Sequence, residues 1–481
     1  MLRKRKLLLL LLLVLTAGAA SARQPDRTPR NIVFILSDDH RYDFMGFYPG
    51  APDFLETPNM DRLAAQGAHL RNAFVTTSLC SPSRASILTG RYAHNHRVVD
   101  NSRMVPPGTT FFPSYLQQAG YRTAFIGKWH MGDDDDAPRP GFDHWVSFRG
   151  QGDYYNPTLN IDGQRQKVEG YNADLLTGYA LDWLKKVGDE PFMLYLSHKS
   201  VHAMFEPAER HRGRYQDVPL VYPRTMANTE DNYRNKPRWV REQRYGWHGV
   251  DFMYHGQMDF DTFYRRYTET LLGIDESIGR LLDYLETTDL AENTLVIYMG
   301  DNGFSFGEHG LIDKRHAYEE SMRVPMLAYA PGLIAPGTVV NEMVQNIDIA
   351  PTLLALAGVP APEEMDGASF LPLLRGERIP WRQEILYEYY WEYNFPHTPT
   401  VYALRSDRYK YMFYHGIWDL NEFYDLETDP LEQYNLINSP DHQAQINEMK
   451  ERLFDKLAED DAADVSFQRP RYGQQDRRKL H

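Results

Sequence analysis

One cysteine, Cys80, in 481 residues leaves no partner for an intramolecular disulfide. It also removes any structural zinc site built on two or four cysteines. Basic residues are in deficit, with 52 Lys and Arg against 66 Asp and Glu and a formal charge of −14. Binding of nucleic acid through a general basic surface is thereby excluded. An anionic substrate would need a local basic pocket, because the global field repels it. Beyond the N-terminus no segment is long and apolar enough to cross a bilayer, so stable membrane insertion is not expected. Internal repeats and long low-complexity tracts are also missing.

The N-terminus runs Arg3-Lys4-Arg5-Lys6, then Leu7 to Leu15, then small residues to Ala22. A basic region, a short apolar core and a small-residue cleavage site form a signal peptide over 1–22. No cysteine sits at the cleavage point to carry a lipid anchor, so the expectation is a soluble periplasmic or secreted protein. Removing 1–22 takes away four basic residues and no acidic ones, leaving 48 basic, 66 acidic and a formal charge of −18. A lone cysteine in an exported chain is a bystander, an intermolecular link or a reactive centre.

Four short apolar runs end in reactive residues. Asn31 to Leu36 leads into Ser37-Asp38-Asp39, and Thr123 to Ile126 into Gly127-Lys128-Trp129-His130. Phe192 to Leu196 leads into Ser197-His198, with His202 beyond, and Leu295 to Met299 into Gly300-Asp301-Asn302-Gly303. Continuous apolar runs of this length suit strands buried on both faces. Helical patterns separate them, at Met60 to Gln66, Tyr171 to Lys186 and Phe263 to Glu286. The alternation predicts an α/β fold, a large mostly parallel or mixed sheet sandwiched by helices. Ligands of such sheets bind beyond the carboxyl ends of the strands, where these polar residues fall.

Around the cysteine, Ser81 reads as a helix N-cap, Pro82 as the first helical residue and Gly90 as the stop. Cys80 would then lie at a helix N-terminus, where free amides and the dipole favour an anion such as a sulfate or phosphate ester. Arg84 follows one turn in. Asp38, Asp39, Asp301 and Asn302 supply hard oxygen ligands, which suit Ca²⁺ or Mg²⁺. Abundant carboxylates and the exported location favour Ca²⁺.

Cys80-Ser81-Pro82-Ser83-Arg84, with Leu88-Thr89-Gly90-Arg91 behind it, resembles the signature of the type I sulfatases of the alkaline-phosphatase superfamily. Further matches are Asn31 to Asp39, Thr57 to Ala64, Gly127 to His130, Gly300 to Gly303 and Phe423 to Pro430. The resemblance implies that Cys80 is converted to formylglycine (3-oxoalanine) by a formylglycine-generating enzyme. The hydrated aldehyde would attack sulfur in line, release an alcohol, and then expel sulfate from the covalent sulfo-enzyme. It also implies a metal held by Asp38, Asp39, Asp301, Asn302 and modified Cys80. Arg84 would orient the diol, and Lys128 and Lys314 would offset charge on the sulfate. His130 would take the proton when sulfate leaves. His202 would donate to the leaving oxygen or bind sulfate, with His198 as its competitor.

The stretch Arg91 to Val99 resembles N-acetylglucosamine-6-sulfatases and bacterial polysaccharide sulfatases, which makes His94 and His96 candidate substrate contacts. The expected substrate is a sulfated carbohydrate from a glycosaminoglycan, a mucin-type glycan or an algal polysaccharide such as ulvan. The Arg-, Tyr- and Trp-rich segment from Glu206 to Phe263 is either a platform for an anionic sugar or a solvated insertion. Asp133 to Asp136 reads as an exposed acidic loop. The expected divisions are a catalytic domain over 23–379, a smaller C-terminal antiparallel sheet plus helix over 380–467, and a loose tail over 468–481. Two other readings stay open: a phosphoester or phosphonate monoester hydrolase of the same superfamily, and a sulfated-glycan-binding protein whose cysteine is never converted.

Overall fold

A computed structural model describes residues 31–132, 134–244, 246, 254–416, 419–459 and 462. The expected signal peptide and the tail lie outside the described residues. The four apolar runs form β1 (Asn31–Ser37), β2 (Arg122–Lys128), β3 (Phe192–Ser197) and β4 (Thr294–Gly300). They lie side by side in the order β4-β1-β3-β2, all parallel. The register sets Ser37 beside Gly300, Leu36 beside Ser197 and Gly127 beside Ser197. The four strands therefore end nearly flush, and the residues that follow meet at one edge.

Further strands extend this core to a ten-stranded mixed sheet. Met326–Tyr329 runs antiparallel to β4 on one side, and His144–Phe148 runs parallel to β2 on the other. Both faces are covered, which is why the strands are apolar throughout instead of alternating. Val33 and Ile35 point into one core, shared with Leu271, Ile278 and Leu285 of the long helix Phe260–Thr287. Ile32, Phe34 and Leu36 point into the other, which holds Ala85, Ile87 and Leu88 of helix α1 (Cys80–Thr89). The long helix is started by Asp259, whose side chain accepts from the Thr262 amide.

The smaller unit is a four-stranded antiparallel sheet over Glu384–Tyr389, Val401–Ser406, Tyr409–Tyr414 and Glu422–Asp425. Helix Gln443–Glu459 packs on it through Ile446, Met449 and Leu453. No helix among the described residues is long and apolar enough to cross a membrane.

Two local expectations differ from the structure. Helix α1 begins at Cys80 itself, with extended Leu79 as its cap residue, so Ser81 is inside the first turn. The Ser81 hydroxyl donates instead to the His130 carbonyl, which fixes the strand end of β2 to the helix. Asp136 is not exposed: it is buried and held by Arg165 and Asn160. Its charge serves as an internal counter-ion for an arginine.

Candidate active site

Helix α1 is buried along its whole length, and its first residue, Cys80, faces the ends of β1 and β4. The thiol lies 3.3 Å from Asp38 Oδ1, and Lys314 Nζ lies 3.0 Å from Sγ. Burial pushes the Cys80 thiol up to about 12, and Asp38 reinforces that shift. An unmodified thiol here stays protonated and is a poor nucleophile at neutral pH. Arg84 is one turn along the same helix face. Its Nε and Nη2 reach Asp301 Oδ2 at 2.9 and 2.8 Å, and its Nη1 donates to the Lys128 carbonyl at 2.8 Å. A side chain so tied at both ends is a fixed floor for the site.

Asp38, Asp39 and Asp301 bring one oxygen each within 4.8 Å of one another, all buried. Their charge is met by Arg84, by Lys128 on Asp38 and by Lys314 on Asp39. The cations differ in consequence. Lys128 and Arg84 hold Asp38 well below the usual carboxylate range despite its burial. Asp39 is pushed up to about 6 and Asp301 to about 7, mainly by burial. Asn302 donates through Nδ2 to Asp39 Oδ1 at 2.7 Å, and its Oδ1 is sealed from solvent with no hydrogen-bond partner. A buried carbonyl oxygen without a donor, next to three convergent carboxylates, fits a hard divalent cation.

Glycine permits two close approaches here. Gly127 has φ +125°, and a Cβ there would lie 1.7 Å from the Ser197 carbonyl oxygen. Gly303 lets the chain after Asn302 pass the Glu320 carbonyl, 2.1 Å from where a Cβ would stand.

Lys128 Nζ contacts both Asp38 and the Gln151 amide oxygen. An ammonium only donates, so the Gln151 NH₂ must face the other way. It lies 3.1 Å from His130 Nε2. With that amide orientation His130 Nε2 is the acceptor. His202 Nε2 lies 3.9 Å from Asp39 Oδ2, while its Nδ1 turns to the Ala203 carbonyl. Burial, and then the charge of Lys128, holds His202 neutral, well below its ordinary value. His198 takes the opposite direction, 3.0 Å from Ser277 Oγ on the long helix. Of these two histidines, His202 is the one facing the carboxylates.

His94 and His96 stand apart from this cluster. His94 is buried with Nδ1 2.8 Å from Glu388 of the small sheet, and His96 Nε2 is 3.0 Å from Ser86 Oγ behind α1. Several arginines of 206–263 are paired with neighbours: Arg210 with Asp174 and Glu276, Arg214 with Glu56, Arg238 with Glu242. This favours a surface insertion over an anion platform; Tyr245 and Trp247 lie outside the described residues. Gln151 was not legible in the sequence, because it sits in a loop without a motif. Lys199 was also missed. It is buried, its Nζ lies 4.5 Å over the Tyr154 ring, and burial with repulsion from Lys128 pushes it down to about 8.

The sulfatase family model matches residues 30–359, and the C-terminal model of N-sulphoglucosamine sulphohydrolase matches 307–459. An N-acetylglucosamine-6-O-sulfatase of Bacteroides thetaiotaomicron is 33% identical, over 91% of this chain and 88% of its own. The N-acetylglucosamine-6-sulfatase of Homo sapiens is 32% identical, over 88% and 81%. A solved structure of a protein in complex with its substrate D-glucosamine-2-N,6-O-disulfate superposes with a TM-score of 0.83 at 31% identity. That match covers 91% of this chain and 99% of the other. The Cys80 helix, the carboxylate cluster and the flanking lysines thus stand on a chain that belongs to the sulfatase family and is a sulfuric ester hydrolase.

Proposed function

We propose that this enzyme, exported to the periplasm or beyond, removes a 6-O-sulfate from a glucosamine-type sugar of a sulfated glycan. The observation that supports the chemistry best is the meeting of Cys80, three carboxylates, Asn302 and two lysines at one strand edge. The sugar is inferred from the substrates named for the relatives above. Cys80 would be converted to formylglycine by a separate maturing enzyme, and would then supply a hydroxyl nucleophile in place of a protonated thiol. Asp38, Asp39, Asp301, Asn302 and modified Cys80 would hold Ca²⁺, with Mg²⁺ the second candidate. When bound, the cation supplies Lewis-acid withdrawal of charge from the ester.

The chain's own residues do the rest. Arg84, clamped by Asp301, orients the nucleophile. Lys128 and Lys314 offset charge on the sulfate oxygens as it builds. His130, with Nε2 an acceptor, takes the proton when sulfate leaves. His202 presents Nε2 to the leaving oxygen because Nδ1 is engaged; an arriving sulfate offsets Lys128 and restores its affinity for a proton. His94 and His96 remain candidate substrate contacts only through the resemblance of Arg91 to Val99.

The test is mass spectrometry of the Cys80 peptide from protein made with a formylglycine-generating enzyme, together with sulfate release from a panel of sulfated sugars. Conversion shows as a loss of about 18 Da, thiol to aldehyde. Conversion with release from 6-O-sulfated glucosamines is the expected result. Fully active protein with an unmodified thiol would refute the formylglycine chemistry. Faster hydrolysis of a phosphate or phosphonate ester than of the matching sulfate would move the enzyme to the superfamily's other branch. Glycan binding without any sulfate release, by protein whose Cys80 stays unconverted despite co-expression with the maturing enzyme, would favour the binding-protein reading.

A further inference from the structure

Five lysines are buried among the described residues: Lys128, Lys199, Lys236, Lys314 and Lys410. Four have a carboxylate oxygen within 4.0 Å. Lys128 pairs with Asp38, Lys314 with Asp39, Lys236 with Glu422 at 3.8 Å, and Lys410 with Glu319 and Glu432 at 2.8 Å each. Lys199 has none among the described residues. Its Nζ lies instead over the face of Tyr154, 4.5 Å from the ring centroid. Lysine is almost never buried unpaired, because desolvating an ammonium is expensive. A ring face repays part of that and no more.

The position of Lys199 is set by the site. The chain after β3 stays bonded to the end of β1: the Asp38 amide donates to the Ser200 carbonyl at 2.8 Å, and Val201 donates to the Asp38 carbonyl at 2.7 Å. Tyr154 in turn donates to the His202 carbonyl. Lys199 is thus fixed between a metal-ligand candidate and the proposed proton donor. It feels the charges of Lys128 and Asp38 in the site, and those of Asp153 and Glu206.

We propose that Lys199, seated on Tyr154, is a specificity-determining subsite for a second sulfate on the sugar that loses its ester sulfate. This rests on the function proposed above. An anion there would meet a cation that is already buried and seated on a ring, with no carboxylate in direct contact, while Lys128 and Lys314 serve the scissile group. Lys199 would govern which 6-sulfated sugar is preferred, and not the chemistry at sulfur.

The experiment uses matured, metal-loaded full-length enzyme with two substrates, glucosamine-2-N,6-O-disulfate and N-acetylglucosamine-6-O-sulfate. The wild type should favour the disulfate, and Lys199→Met should lose about 10–100-fold in kcat/KM on it, the range for one charged hydrogen bond. The loss should fall mainly on KM, with the monosulfate changed by less than about threefold. Lys199→Arg should keep part of the preference. Equal losses on both substrates, or a wild type without preference, would overturn the proposal. A readout independent of folding of the variant is reductive methylation of the wild type, followed at the Lys199 peptide. N-sulfoglucosamine should protect Lys199 and N-acetylglucosamine should not; equal protection would count against the subsite. Release of sulfate from the monosulfate alone keeps the underlying function while removing the second site.

Discussion

Replacing Lys128 by Met should cost stability in a way that depends on the metal. Lys128 is fully buried and contacts Asp38 Oδ2. Without it the next cation to Asp38 is Arg84 Nη2, 3.5 Å away. At an effective dielectric of about 20 that remaining pair is worth about 5 kcal/mol, against a desolvation cost of several kcal/mol per ion. Loss of one partner of a buried pair typically costs ~3–5 kcal/mol. Unfolding entropy for 481 residues scales to roughly 1 kcal/mol per kelvin, so metal-free Lys128→Met should melt about 3–5 °C below wild type. A bound divalent cation would take over the neutralisation of Asp38. In saturating Ca²⁺ the deficit should therefore shrink to about 1 °C or less. Differential scanning fluorimetry at one scan rate, with EDTA and with Ca²⁺, measures both. Turnover should fall ~10²–10³-fold even in Ca²⁺, as for loss of one transition-state donor. The same melting deficit in both conditions would refute the shared use of Asp38 by lysine and metal.

Cys80→Ser, made where only cysteine is converted, should abolish turnover while leaving the melting temperature within about 2 °C, because Ser fits the same first helical position; retained activity would sink the nucleophile assignment. Asp301→Ala should lose metal and activity together, and elemental analysis showing full metal content would remove Asp301 from the ligand set. Metal binding should strengthen as pH rises from 5 to 8. Burial raises Asp39 to about 6 and Asp301 to about 7, so the folded metal-free site holds protons more tightly than the unfolded chain does. Those two groups add stability at low pH that is lost as pH rises through 6–7, and the cation competes with the same protons. The Ca²⁺-induced rise in melting temperature should accordingly be small at pH 5 and large at pH 8; a pH-independent shift would contradict this linkage.

Most of the site was legible because it is written at strand ends. β1 leads to Asp38 and Asp39, β2 ends at Lys128, and β4 leads to Asp301 and Asn302, so an apolar run followed by polar residues marks each position directly. The parallel register then brings together residues more than 260 positions apart, such as Asp39 and Asn302. Lys314 was readable only through the family resemblance. It follows a two-residue strand, Ile312–Asp313, with no periodic signal of its own. The choice of His202 over His198 was open in the sequence, since both follow β3 closely. Direction favours His202: His198 turns to Ser277 on the long helix, and His202 turns to Asp39. Gln151 and Tyr154 come from the loop between His144–Phe148 and Thr158–Ile161, where composition carries no sign of which side chain turns inward.

The electrostatics explain why so many charges are buried in a protein whose overall charge is negative. Three carboxylates face Arg84, Lys128 and Lys314, so the metal-free site is close to neutral and can fold without its cation. A divalent ion then makes the pocket positive only locally, and only once bound. That local field must act against the formal charge of −14 carried by the whole chain, which repels sulfate esters over distances up to a Debye length. Raising ionic strength would screen the long-range repulsion and leave the buried contacts almost untouched. The kcat/KM for a sulfated sugar should therefore rise, by a factor of a few, between roughly 10 and 150 mM salt, where the Debye length falls from about 30 to 8 Å. It should do so through KM with kcat unchanged. A fall in kcat/KM over that range would mean that the approach of the substrate is governed by a surface cation and not by the buried set.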